Sequence, residues 1–250
     1  MDPALFFYFE DNSDITSKVR DIKGVLGSHV DDNFSTGDED FQRKVRNPLK
    51  ERFEFGSETT EAPHKYVGLT IQKKEGCYIM DQDDYLKQLN IPDSNFLKDY
   101  NNEDVINEQK LFRSITAKLT MLSIVSRPDL CFDSKLLSTK YGKATKQDCK
   151  SALKMLGKVK RESTKMCYRN MGRVEDWLFL LYSDASLKTL GIISVGGYII
   201  LLVNKKTNAT VIFHWRSKQI KRVVHSSEAA EAYALLDAFG DLQIYTGNLS

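Results

Sequence analysis

Gly24-Val25-Leu26-Gly27-Ser28-His29-Val30-Asp31-Asp32-Asn33-Phe34 is an apolar run that ends on two adjacent carboxylates and resumes with Phe34. Neighbouring side chains on a strand point to opposite faces, so Asp31 and Asp32 serve one site only if the strand bends there. A hairpin tip supplies that bend. Side-by-side like charges repel, and a pair of divalent cations is one arrangement that rewards them, since a two-metal clamp drives in-line phosphoryl chemistry. The plainer reading is a solvated turn, in which Asp and Asn are ordinary residues. On the dipeptide alone the plainer reading is the stronger.

Working outward, Ala4 to Phe9 reads as a buried strand and Asp21 to Val30 as the strand beside it. Asp38-Glu39-Asp40 opens a helix with acid in its first turn, and Phe41, Val45, Leu49 and Phe53 give it an apolar face. Residues 54–64 are a loop, and Tyr66 to Ile71 with Cys77 to Met80 flank Glu75-Gly76 as a hairpin. Asp81 is expected to cap a helix over Tyr85 to Leu89. The polar stretch Pro92 to Asn107 reads as a boundary.

Helices follow it. Leu111, Ile115, Leu119, Leu122 and Val125 trace one apolar face, and Pro128 stops that helix. A second helix runs from about Leu130 to Thr139, and a third, Lys146 to Arg161, carries Lys146, Lys150, Lys154 and Lys158 every four residues. Like charges at that spacing cost a helix roughly 0.2–0.5 kcal/mol per pair, which binding to phosphates would offset; a solvated face is the alternative. Beyond Gly172 strands are predicted at Leu178 to Tyr182, Gly197 to Val203 and Val211 to Trp215, then a helix from Ser227 to Phe239.

The run from Gly24 to Asp32 resembles the catalytic hairpin of reverse transcriptases, in particular those of copia-type LTR retrotransposons, with His29 where most relatives carry Tyr. Further matches follow in that family's order: Tyr66-Val67-Gly68-Leu69, Ser126-Arg127-Pro128-Asp129, Tyr182-Ser183-Asp184-Ala185-Ser186, and Ser226-Ser227-Glu228-Ala229-Ala230-Glu231. Together they resemble the region of a Pol polyprotein that joins reverse transcriptase to ribonuclease H.

The resemblance implies an α+β chain with a partial reverse-transcriptase palm at 1–105, a helical thumb and connection at 106–175, and an incomplete ribonuclease H-like mixed sheet at 176–250. Asp31 and Asp32 are then magnesium ligands for DNA polymerisation, and Asp184 and Glu231 magnesium ligands for cutting RNA in a hybrid. Glu228 is the nearby alternative to Glu231. The partner implied is a primer–template duplex or RNA–DNA hybrid. Each active site is expected to lack members: an upstream palm Asp in one, and in the other a third carboxylate where Ile244-Tyr245-Thr246-Gly247-Asn248 offers only Gly247. That last stretch reads equally as the tail of the preceding helix. A fragment inactive by itself is therefore expected, and a non-enzymatic nucleic-acid-binding or decayed remnant is the alternative.

Composition fits a folded chain: 250 residues, 41% apolar and 28% charged, net charge +2. The charge is unevenly spread. Residues 1–62 hold 14 acidic and 8 basic residues, residues 140–173 hold 11 basic and 2 acidic, and residues 205–225 hold 6 basic and none acidic. Within the last stretch Lys218, Lys221 and Arg222, with Trp215 and His225, are candidate nucleic-acid contacts. Cys77, Cys131, Cys149 and Cys167 are widely spaced, which argues against a zinc knuckle or a dense disulfide framework. The four histidines show no ligand spacing. No segment approaches a membrane span, and an intracellular location is expected.

Overall fold

The computed structural model describes residues 4–9, 22–189 and 193–246. It is an α+β chain of two compact units, one comprising Met1–Gln72 with Ile244–Ser250 and the other Lys73–Gln243.

In the first unit β1 (Ala4–Phe9), β2 (Ile22–His29) and β3 (Asp32–Gly37) form an antiparallel sheet with β2 in the centre. A helical segment follows, made of α1 (Glu39–Phe41), a π-helical stretch Gln42–Arg46 and α2 (Asn47–Arg52). Asp38 caps it, its carboxylate accepting the Phe41 amide at 2.9 Å. Phe41 is 1% exposed, and its ring lies on Gly24 and Gly37, which face each other across β2 and β3. A Cβ at Gly24 would stand 2.1 Å from that ring, so this strand position needs glycine for close approach. The predicted apolar face fades beyond it, since Val45 and Leu49 are half-buried and Phe53 is exposed. β4 (His64–Tyr66) and β5 (Leu69–Lys74) make an antiparallel hairpin, and the boundary between the units falls within β5.

The second unit contains β6 (Cys77–Asp81), α3 (Asp83–Gln88), α4 (Gln109–Val125), α5 (Cys131–Ser138), α6 (Lys146–Arg161), and β7 (Met166–Arg169) paired antiparallel with β6. Asp81 ends β6, and its carboxylate accepts the Asp83 amide at 3.1 Å without being the residue that caps α3. The helices share a core of Phe112, Ile115, Leu119, Leu122, Leu156 and Val159, all fully buried. A reciprocal Thr145–Asp148 capping box starts α6. Arg127, 4% exposed, fixes the chain just past α4 by donating to both Asp129 oxygens, at 2.9 and 2.8 Å, and to the Glu162 carbonyl at 3.0 Å.

A further sheet, of order β10-β9-β8, belongs to this unit, with β8 (Trp177–Thr189), β9 (Ile193–Asn204) and β10 (Thr210–Gln219) all antiparallel. α7 (Ser227–Thr246) covers one face. Its buried stripe of Ala230, Ala234 and Ala238 is small enough for Ala234 to rest on Gly196. Lys218–Asp237 (2.7 Å) and Arg216–Asp241 (3.1 Å) ion pairs tie the helix to β10. On the other face, the Trp215 indole N–H donates to the Ser123 carbonyl of α4 at 2.7 Å.

The fold departs from the sequence expectations in part, and decides between two readings that were left open. β1 is a strand as predicted but not a buried one: it lies at the sheet's edge, where Leu5 and Phe6 are each 56% exposed. β7 was not predicted, because four residues alternating across a sheet edge leave too short a pattern. The sheet of β8, β9 and β10 is antiparallel throughout its described strands rather than mixed, since neighbours in it are also neighbours in sequence. α7 continues to Thr246, so of the two readings of Ile244-Tyr245-Thr246 the helical tail holds; Gly247 and Asn248 lie outside the described residues, as does Asp21. No described helix is long and apolar enough to cross a membrane.

Candidate functional site

The β2–β3 hairpin closes through a two-residue turn, Val30-Asp31, with His29 paired to Asp32. Val30 has φ +55° and its side chain is 82% exposed. A β-branched residue is strained in the left-handed region, so the tip is held in a shape the local sequence does not prefer. Asp31 sits on the turn, and Asp32 starts β3. Both are exposed.

Strand alternation puts Asp32, Phe34, His29 and Gly27 on one face, opposite the face that receives Phe41. That face meets β4. Phe34 packs on Tyr66 and His64, with ring centroids 5.7 and 5.8 Å apart, and a Cβ at Gly27 would lie 3.1 Å from the Tyr66 hydroxyl. The hydroxyl is buried and has no hydrogen-bond partner among the described residues. Burial first, and then the Asp32 charge, push the Tyr66 phenol above its ordinary value. Tyr66 was legible only as part of the short motif Tyr66-Val67-Gly68-Leu69, because its place under Asp32 depends on how two hairpins pack.

Asp184 pairs with Gly197 across β8 and β9, whereas it is Gly196 that meets Ala234 of α7. Alternation therefore turns Asp184 to the face away from α7. There it lines a cleft of about 620 Å³ with Pro128, Phe132, Trp215 and Ser217, and its carboxylate accepts the Ala185 amide at 2.8 Å. Glu231 lies on α7 between the buried Ala230 and Ala234 positions and is exposed to solvent, as is Glu228. Asp184 thus lies on the sheet face away from α7, and Glu231 lies on α7 itself. Among the described residues no three His, Cys, Asp or Glu side chains converge into a metal-holding group. Asp31 and Asp32 are adjacent at the hairpin tip, while Asp184 lies on β8 and Glu231 on α7.

The lysine row of α6 runs along one side of a helix whose opposite side is core, with Lys146 half-buried and Lys150, Lys154 and Lys158 exposed, and its members differ in use. Lys146 donates to the Tyr100 carbonyl and Lys150 to Asn102 at 3.1 Å, fastening the preceding loop. Lys158 lies 3.9 Å from Glu162, and Lys154 has no partner among the described residues. The 205–225 stretch is divided by its strand: Trp215 faces α4, while Lys218 bonds Asp237 of α7 on the other side. Lys221 is exposed, and Arg222 stacks over the Tyr233 ring at 5.4 Å. Comparison of this chain with family models, with curated proteins and with solved structures finds no match.

Proposed function

We propose that this chain is a segment of a retrotransposon-type reverse transcriptase/ribonuclease H, whose β2–β3 hairpin is the carboxylate-bearing part of a polymerase palm. The observation that carries the reading is the tight turn that sets Asp31 and Asp32 together at the tip of a three-stranded sheet backed by a helix. In that role the two carboxylates would hold Mg²⁺, which when bound activates a primer hydroxyl and steadies the leaving phosphate. The family's substrate is a primer–template duplex, and exposed Lys154 and Lys158 on α6 are available for its phosphates.

The chain by itself is expected not to extend a primer on poly(rA)·oligo(dT). Fusing the upstream fingers and palm segment of a related element restores magnesium-dependent extension, and Asp31→Asn or Asp32→Asn each abolish it. A fusion that extends with both residues replaced refutes their role. Extension by the unfused chain that disappears in Asp31→Asn refutes incompleteness.

A second reading, a nucleic-acid-binding remnant without catalysis, is favoured by Asp184 turning to the sheet face away from α7, the helix that carries Glu231. It is distinguished by salt-sensitive duplex binding in a chain whose fusions never gain activity.

A further inference from the structure

Cys77 and Cys167 are 90 positions apart, a spacing that carries no motif, yet β6 and β7 bring them to one face of one strand pair. Ile79 is directly opposite Cys167, and Cys77 directly opposite Arg169, so the two thiols are diagonal neighbours on the same side. Cys167 is exposed and Cys77 half-exposed. The Cys77 thiol donates to the Lys74 carbonyl at 3.2 Å. It is also held above its ordinary pKa, first by hydrogen bonding with the Cys167 thiol, then by desolvation and the Cys167 charge; Arg169 opposes this and Glu75 adds to it. The register by itself places the two side chains as neighbours on one face of the strand pair.

The other two cysteines are unlike them. Cys149 is fully buried in the helical core and its thiol is pushed up to about 11, while Cys131 is largely desolvated and donates to the Ser123 carbonyl. A reagent in water meets Cys167 first and finds Cys77 beside it.

We propose that Cys77 and Cys167 form a reactive dithiol site, which a peroxide closes into a disulfide tying β7 to β6. The Cys167 thiolate attacks one oxygen of hydrogen peroxide, the O–O bond breaks, and hydroxide leaves to be protonated to water, giving a sulfenic acid. The Cys77 thiolate then attacks that sulfur; the S–O bond breaks and the second hydroxide leaves as water. Two thiols and one peroxide become one disulfide and two waters. Diagonal partners sit about 7–8 Å apart at Cα, against about 5.5–6 Å in a disulfide, so closure draws the strands together by roughly 1–2 Å. Cys77, the first residue of β6 after the Glu75-Gly76 turn, is where the sheet can yield.

The test uses the full reduced chain. Equimolar hydrogen peroxide is expected to lower the mass by about 2 Da, with a Cys77–Cys167 cross-linked peptide in the digest that dithiothreitol removes. Phenylarsine oxide, which bridges two adjacent thiols, should bind one to one, and that binding should vanish in both Cys77→Ser and Cys167→Ser. In Cys77→Ser, peroxide should leave a dimedone-trappable sulfenic acid on Cys167. A cross-link through Cys131 or Cys149, oxidation of Cys77 and Cys167 to sulfinic acids with no cross-link, or arsenical binding that survives both single variants would overturn the proposal.

Discussion

Gly24→Ala tests whether the seat of Phe41 is what builds the sheet that carries Asp31 and Asp32. The new Cβ would lie 2.1 Å from Cδ2 and 2.2 Å from Cγ of the ring, where ordinary contact begins near 3.4 Å. The ring must retreat by roughly 1.5 Å, and close-packed interiors seldom give that much. Gly37 closes the other side, with its own Cβ position 2.4 Å from Cδ1, and the Tyr8 ring stands 6.0 Å away by centroid. Overpacking costs about 1–3 kcal/mol, and expelling a buried Phe about 3–5, so a loss of about 3 kcal/mol is expected. That is roughly a hundredfold faster amide exchange across β2 and β3 if opening is local. Hydrogen exchange with mass spectrometry on peptides spanning Val25 to Phe34 reads this unit without assuming that the whole chain unfolds together. In a Phe41→Ala background the clash is gone, and Gly24→Ala should then stabilise slightly, by about 0.5–1 kcal/mol, through reduced backbone entropy. Gly56→Ala, with nothing within 4 Å of its Cβ, is the control. A Gly24→Ala penalty of the same size in both backgrounds would refute the steric account.

Two further outcomes follow from charged groups. Burial alone would raise Asp241, but hydrogen bonds from Tyr198 and Arg216 outweigh it and hold the carboxyl below its ordinary value. A depressed folded-state pKa stabilises above the unfolded value, near ~3.9, and that stability disappears as pH falls through the folded one. Amide protection in α7 should therefore decline below about pH 4, and Asp241→Asn should flatten that decline and lower protection at neutral pH; an unchanged acid profile would discard this assignment. For the α6 row, Lys154→Gln should reduce the slope of log duplex affinity against log salt by roughly 0.9 for each phosphate no longer neutralised, whereas Lys146→Gln, its ammonium already bound to the Tyr100 carbonyl, should leave it unchanged. Equal effects at the two positions would show that the row acts as diffuse charge.

The sequence by itself determined what depends on neighbours along the chain. The hairpin at Asp31-Asp32 was legible because an apolar run broken by two turn-forming carboxylates has few other solutions, and the helices over Leu111 to Val125 and Lys146 to Arg161 because their apolar residues recur at helical spacing. The strands Leu178 to Tyr182, Gly197 to Val203 and Val211 to Trp215 each fall inside an observed strand, with their ends misjudged. Only the tertiary structure decided which side a strand residue serves. Alternation says that Asp184 and Ala185 part company, but which of them meets α7 is set by β8 pairing with β9 and by the Ala234–Gly196 contact, both long-range. The same holds for Tyr66 beneath Asp32, for two of the four lysines being bound to a loop 46 and 48 residues away, and for Cys77 beside Cys167. Local propensity and periodicity are properties of a few adjacent residues; the convergence of side chains into a site is a property of strand register and packing, which no short stretch encodes.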